Sequence, residues 1–328
     1  MDSLIFSINA IAPIIIIVAI GYFLKKIGWV DGNFAKMANK LVFHVFLPSM
    51  LFLNIYKIGS IGDIELGYVL YCVVALLAVF LVSLPIVMIV VKKRERRGVL
   101  WQSAFRSNYA LVGIPLAEAL FGEAGAMVAS ILSAVVVPLI NMLAVISLST
   151  FRANGGKTSV RKILSGIAQN PLIRGIFAGL FVLLIRAAFV KFGISFRLSD
   201  VKPIFTALEY LGRVSTPLAL VCLGAQFEFS AVKELRKEII FGVLARTVAV
   251  PIIGLGTALI FFREQFNGAH FAAFIAVFAT PVSISSVPMS QEMDADVTLA
   301  GQLVVWTTLV SALSIFIIAF FLRSIGIF

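Results

Sequence analysis

The chain has 328 residues, of which 61% are hydrophobic and only 13% charged, with a mean hydropathy of +1.07. A soluble chain carries about a quarter charged residues, so too little polar surface exists here to cover a water-soluble globule. The net charge of +11 is spread between apolar stretches, which points to the edges of a bilayer before it points to nucleic acid.

Apolar stretches of the length a helix needs to cross a bilayer, roughly twenty residues, recur from end to end. They predict spans at 5–24, 37–55 and 66–91, the last stopping at the basic run Lys92-Lys93-Arg94-Glu95-Arg96-Arg97. A fourth span at 103–121 is interrupted by Asn108, Gly113 and Pro115, and a fifth follows at 126–150. After a short polar stretch come spans at 172–190, 205–225 and 239–262. A ninth, at 270–289, contains Thr280-Pro281 and Pro288, and a tenth runs over 297–322. The opening residues lack the basic start of a cleavable signal peptide, so the first apolar run is expected to remain as a span. Cys72 and Cys222 both fall inside spans and suggest neither a disulfide framework nor a metal cluster.

Charge in the loops tests the count. With ten spans, loops on one side carry sixteen Lys and Arg residues, and loops and ends on the other side carry six. The positive-inside bias then puts both termini outside the cytoplasm. The acidic loop Glu292, Asp294 and Asp296 fits least well. The remaining five arginines, Arg106, Arg174, Arg186, Arg213 and Arg246, lie within or at the edges of spans.

Five spans precede the basic stretch 152–169 and five follow it. The expected organisation is a first five-helix repeat over 1–151, a short cytoplasmic linker over 152–169, and a second five-helix repeat over 170–328. An odd number of crossings reverses the second copy, so the repeats are inverted. Aligning Pro115 with Pro288 brings Asn108 onto Pro281 without a gap. Matched helix breakers in two halves are the best sequence pointer to a transporter binding site. Proline removes a backbone donor and opens the helix, and open backbone at membrane depth persists only where it is buried in protein or lines a cavity. Half-helix N-termini there carry partial positive charge and favour anions. The plainer reading, that each proline merely kinks a span, applies to either one singly and less well to the matched pair.

The run Asn-Tyr-Ala-Leu-Val-Gly-Ile-Pro-Leu at 108–116, followed by Leu-Phe-Gly at 120–122, resembles the fourth-helix motif of the auxin efflux carrier family. That family includes the plant PIN auxin carriers and bacterial carriers of malonate and related acids. Pro13 with Ile20-Gly21-Tyr22, Leu47-Pro48, Pro217 with Leu223-Gly224, Arg246 with Pro251, and Pro281 with Pro288 match in the same order. The resemblance implies an all-α membrane protein of ten transmembrane helices in two inverted five-helix repeats, with broken, crossing fourth and ninth helices. It also implies a four-span scaffold, a mobile transport unit and a homodimer. By that carry-over Asn108 and Tyr109 bind the substrate carboxylate together with backbone near Gly113, Ile114 and Pro115. Thr280, Pro281, Val282, Ser283, Ser285 and Pro288 then form the opposite wall. The central loop is far shorter than in the plant carriers, and Val282-Ser283 stands where they commonly have Gln-Gly, which argues against auxin as the substrate.

Charge inside a span costs about 2.5–3.5 kcal/mol on insertion scales, so each case asks for a reason. Glu118, one turn after the first break, could carry a proton or simply cap the outer surface. His44 could exchange a proton but equally serves as a packing residue. Arg246 could read a second carboxylate or snorkel. These three are candidates for coupling or for contacts behind the site. Glu209 and Arg213 are one turn apart and read as a structural ion pair.

The function expected is secondary transport of a small organic anion, a carboxylate or a dicarboxylate such as malonate or malate, by alternating access in a cell inner membrane. The alternatives are a sodium-coupled symporter of bile-acid-carrier type and, in another class, a membrane receptor or sensor. No paired carboxylates, His-Glu-x-x-His or Gly-x-Ser-x-Gly context suggests an enzyme, and nothing points to a cofactor, a metal or nucleic acid.

Overall fold

A computed structural model describes residues 2–57, 66–152, 165 and 168–328, with side chains described from residue 12 onward. Residues 58–65 and most of the expected linker 152–169 lie outside the described residues. Among the described residues the regular elements are all helical, apart from a single bridge between two extended residues. That follows from the solvent: in lipid each backbone N–H and C=O must find its partner inside the segment.

In chain order the helices are α1 (Asp2–Lys26), α2 (Gly32–Tyr56), α3 (Leu66–Val90) and α4 (Arg94–Phe105). Next comes the continuous run Tyr109–Thr150. It is divided by Phe121 and by Gly122 at φ 61°, ψ −154° into α5 (109–121) and α6 (123–150). Then follow α7 (Pro171–Lys191), α8 (Lys202–Gln226), α9 (Ala231–Phe261), α10 (Gly268–Phe278), α11 (Ser286–Glu292) and α12 (Val297–Ser324). Six segments are long and apolar enough to cross a membrane by those criteria alone: α2, α3, the α5–α6 run, α7, α9 and α12. The protein spans the membrane.

Polar side chains set several helix starts. Asp31 accepts from the Phe34 N–H at 2.7 Å at the start of α2, and Asn170 from Leu172 at 2.9 Å at the start of α7. Asn267 accepts from His270 at 3.1 Å before α10, and Asp296 from Leu299 at 2.8 Å before α12. Each satisfies one of the donors that a helix N-terminus leaves free. The α5–α6 run reverses direction at Gly122. A Cβ at Gly125 would overlap the Ala117 carbonyl, and the Tyr109 hydroxyl donates to the Ala129 carbonyl at 2.7 Å. Residues eight and twenty positions apart meet in this way only if the chain folds back on itself.

The helices pack as two groups. In one, α1 lies on α8, and α2 lies on α7 and α8. Gly21 and Gly224 allow the α1–α8 contact: a Cβ at Gly21 would overlap the Val221 carbonyl, and one at Gly224 the Val18 carbonyl. In the other group α4 packs on α3 and α6, α10 on α6, and α12 on α9 and α11, while α12 also reaches across to α1.

The basic run 92–97 is only partly a loop, because α4 begins at Arg94. Arg96 is buried and pairs with Glu234 at 2.5 Å, Glu238 at 3.2 Å and Asp296 at 2.9 Å. The acidic loop that fitted the charge count least well therefore meets the basic run, with Asp296 serving as a partner of Arg96. Glu209 pairs with Lys57 at 2.8 Å, joining α8 to the end of α2, rather than chiefly with Arg213 one turn along its own helix.

Candidate functional site

Two interruptions define the site. Between α4 and α5 the chain leaves helical geometry at Arg106-Ser107-Asn108, and between α10 and α11 it does so over 279–285. The two segments run antiparallel and bond to each other. Asn108 N–H donates to the Pro281 carbonyl at 2.8 Å, and Ser283 N–H donates to the Arg106 carbonyl at 3.1 Å. Ser107 and Val282 face each other across this bridge. Backbone groups released by one break are thus taken up by the other, as open backbone away from water requires. Thr307 on α12 accepts from the Val282 N–H at 3.1 Å and holds the second segment from behind.

Arg246, on α9, fastens both breaks. It is fully buried, and it donates to the carbonyls of Ala104 at 3.0 Å, Val277 at 2.7 Å and Thr280 at 2.7 Å. These carbonyls sit at the C-terminal ends of α4 and α10, where helix dipoles concentrate negative partial charge. One guanidinium therefore caps two half-helices.

A cavity of about 170 Å³ lies beside the bridge, between the two helix groups. Leu47, Met50 and Asn54 of α2 and Thr216 of α8 form one wall, and Ser107, Asn108, Asn141, Ser283 and Ser285 face them. It adjoins a wider vestibule of about 480 Å³, which shares Met50, Asn54, Leu111 and Thr216 and reaches Lys57, Glu209 and Arg213. The site is therefore reached from the end of the molecule that carries Lys57.

The expected residues divide by position. Asn108, Tyr109, Ser283 and Ser285 line the cavity. Asn108 is 7% exposed, and its Nδ2 is buried with no hydrogen-bond partner, as is the Ser107 hydroxyl. Pro281 and Val282 supply backbone to the bridge. Thr280 is buried behind it, its hydroxyl donating to the Ala276 carbonyl at 2.8 Å. Gly113 lies against Ala276 of α10. Ile114, Pro115 and Pro288 are outside the cavity wall, Pro115 being exposed on the helix flank. Glu118 is also exposed and outside it. His44 sits in a wide π-helical turn of α2, with Nδ1 3.0 Å from the Lys40 carbonyl and 3.8 Å from Glu292. It lies midway along α2.

Arg106 was not singled out from the sequence. It is buried at 1% exposure directly behind the cavity wall. Its guanidinium donates to Ser285 Oγ at 2.8 Å, Asn141 Oδ1 at 3.0 Å and Gln102 Oε1 at 3.1 Å, and it lies 3.0 Å from Met289 Sδ. The signal available was its place two residues before Asn108, inside the break itself.

The chain matches the model of the family described as membrane transport proteins over residues 6–319. It is 29% identical over 231 residues to an uncharacterized transporter of Methanocaldococcus jannaschii, covering 69% of this chain and 70% of that protein. It is 22% identical over 318 residues to an uncharacterized transporter of Methanothermobacter thermautotrophicus, covering 94% and 96% of the two chains. Broken helices that bond to each other at a cavity between two helix groups, together with a family match over nearly the whole length, make this chain a membrane transporter belonging to the membrane transport protein family, that of the auxin efflux carriers.

Proposed function

We propose that the protein is a secondary transporter of a small organic anion, a carboxylate or short dicarboxylate such as malonate or malate, held at the paired breaks. One observation carries this reading. Among the described residues, three buried polar groups of the cavity lining have no hydrogen-bond partner: Asn108 Nδ2, which can only donate, and the hydroxyls of Ser107 and Ser215. A buried donor left unpaired costs about 1–3 kcal/mol. A carboxylate, which only accepts, satisfies the Asn108 amide N–H groups and the hydroxyls together, whereas a cation leaves the amide N–H groups unpaired.

The same reading takes the chain as ten crossings in two inverted five-helix repeats, 1–151 and 170–328, with both termini outside the cytoplasm of a cell inner membrane. The touching of Asn108 and Pro281, the two positions that coincide when the halves are aligned, supports a pseudo-twofold axis through the site. The division into α1, α2, α7 and α8 against the remaining helices supports a scaffold along which the other group moves in alternating access.

The test is binding of mono- and dicarboxylates to purified protein, with and without Na⁺ and across pH, repeated with Asn108→Ala. Saturable binding that weakens at least about tenfold in the variant, with unfolding temperature unchanged, is expected. A folded Asn108→Ala protein that binds as the parent does removes Asn108 from the site. Absence of binding by any carboxylate removes the anion reading.

A further inference from the structure

Two arginines are buried in the middle of this molecule, and their surroundings differ. The Arg246 charge faces three backbone carbonyls at helix C-termini, an arrangement that offsets it locally. The Arg106 partners are the hydroxyls of Ser285 and Ser286, the amide oxygens of Gln102 and Asn141, and a thioether. None is charged, and none of the ion pairs among the described residues includes Arg106. Guanidinium stays protonated in proteins. An intramembrane charge without a countercharge is a marker of function.

The path from this charge to the cavity is short. The Ser285 hydroxyl accepts from Arg106 at 2.8 Å and lies 2.8 Å from the Ser283 hydroxyl. Both serines line the cavity. Whichever donates to the other, their two protons serve one bond between them and one remains. Arg106 already occupies an acceptor position of Ser285, so the spare proton is free to point into the cavity. Asn141 is held from both sides: its oxygen accepts from Arg106 and one Nδ2 proton goes to the Val137 carbonyl at 2.8 Å.

We propose that Arg106 is the fixed countercharge of the transported anion and acts through the Ser285–Ser283 hydroxyl pair, as a positioning residue that makes the pair a donor towards the cavity. This rests on the anion reading given above. With Asn108 Nδ2 and the Ser107 hydroxyl, it gives a site of side-chain donors contributed by both breaks, backed by one full positive charge. Such a site selects acceptor-only anions over neutral isosteres, since a neutral ligand leaves the guanidinium uncompensated.

The experiment uses the full chain in detergent, with malonate, malate, succinate and acetate as carboxylate probes and nitrate and sulfate as inorganic ones. Arg106→Gln removes the charge, Arg106→Lys keeps it, and Ser285→Ala cuts the path. The expected result, read on the folded fraction of each variant, is a loss of roughly tenfold or more in affinity for Arg106→Gln, substantial recovery in Arg106→Lys, and a several-fold loss in Ser285→Ala. If carboxylate binding depends on Asn108 but Arg106→Gln binds as tightly as the parent, the countercharge is overturned and the anion reading stands. Ser285→Ala with parental affinity overturns the hydroxyl path, and decides the matter should the arginine variants fail to fold. If only nitrate or sulfate binds, in an Arg106-dependent manner, the countercharge stands and the carboxylate reading falls. If no anion binds the parent protein, both are overturned.

Discussion

The Arg246 Nε donates to the Thr280 carbonyl at 2.7 Å, and the other two nitrogens of the same guanidinium reach Ala104 and Val277. The residue thus ties the end of α4 to the end of α10 at the point where both helices stop, so its role is to set the height of the two breaks relative to each other. Arg246→Met would leave three carbonyls without partners in a buried position. The expected loss of stability is on the order of 3 kcal/mol or more, because even one such group costs about 1–3 kcal/mol. Lysine retains the charge but not the planar fork, so Arg246→Lys should fall between the two. Thermal unfolding in detergent measures this. If Arg246 read a substrate carboxylate directly, the lysine variant would instead keep its stability and lose affinity.

The turn at Gly122 makes a second prediction. Its φ of 61° with ψ of −154° belongs to a region that only glycine occupies without strain, at a cost of order 1–3 kcal/mol for other residues. Nothing lies close to where its Cβ would be, so the strain would be purely backbone. Gly122→Ala should therefore destabilise the α5–α6 reversal by about that amount while leaving anion affinity of the folded protein within a factor of two or so. A fully stable Gly122→Ala variant would mean that the chain turns elsewhere between α5 and α6.

The parts of this architecture legible in the sequence are those written in composition and in proline. Apolar runs marked the helices, and Pro115 and Pro288 with their neighbours marked two breaks that do meet, at Asn108 and Pro281. Direction after a break was not legible. Helical phase restarts there, so Pro115 and Glu118 project away from the cavity although they lie within ten residues of Asn108. Nor could sequence separate the intramembrane arginines from one another, because what distinguishes Arg106 from Arg246 is the identity of acceptors some 30 to 180 positions away. The acidic loop after α11 looked anomalous for the same reason, since Asp296 finds Arg96 two hundred positions earlier.

The last prediction concerns the end of the molecule opposite the vestibule. An α-helix rises about 1.5 Å per residue, so Asn39, in the first third of α2 (Gly32–Tyr56), lies roughly 27 Å along the helix from Lys57. At the Asn39 end the helices around the cavity are stitched by side-chain amides. Asn39 Nδ2 donates to Gln226 Oε1 at 3.0 Å and to Gln291 Oε1 at 3.2 Å, and Gln291 Nε2 donates to the Lys36 carbonyl at 2.9 Å. Asn39 is completely buried there. Alternating access requires this cluster to part whenever the vestibule closes, since α2 and α8 belong to one helix group and α11 to the other. A double variant, Lys36→Cys with Gln291→Cys, joined by a short reducible bifunctional thiol reagent, should hold that end shut. Cys72 and Cys222 are buried, whereas Lys36 is exposed and Gln291 half-buried, which directs the reagent to the introduced pair. In proteoliposomes carboxylate flux should stop on cross-linking and return on reduction, while binding from the Lys57 end persists throughout. Flux that continues at the uncross-linked rate would mean that α2 and α11 stay together during transport, and the moving boundary would have to lie elsewhere.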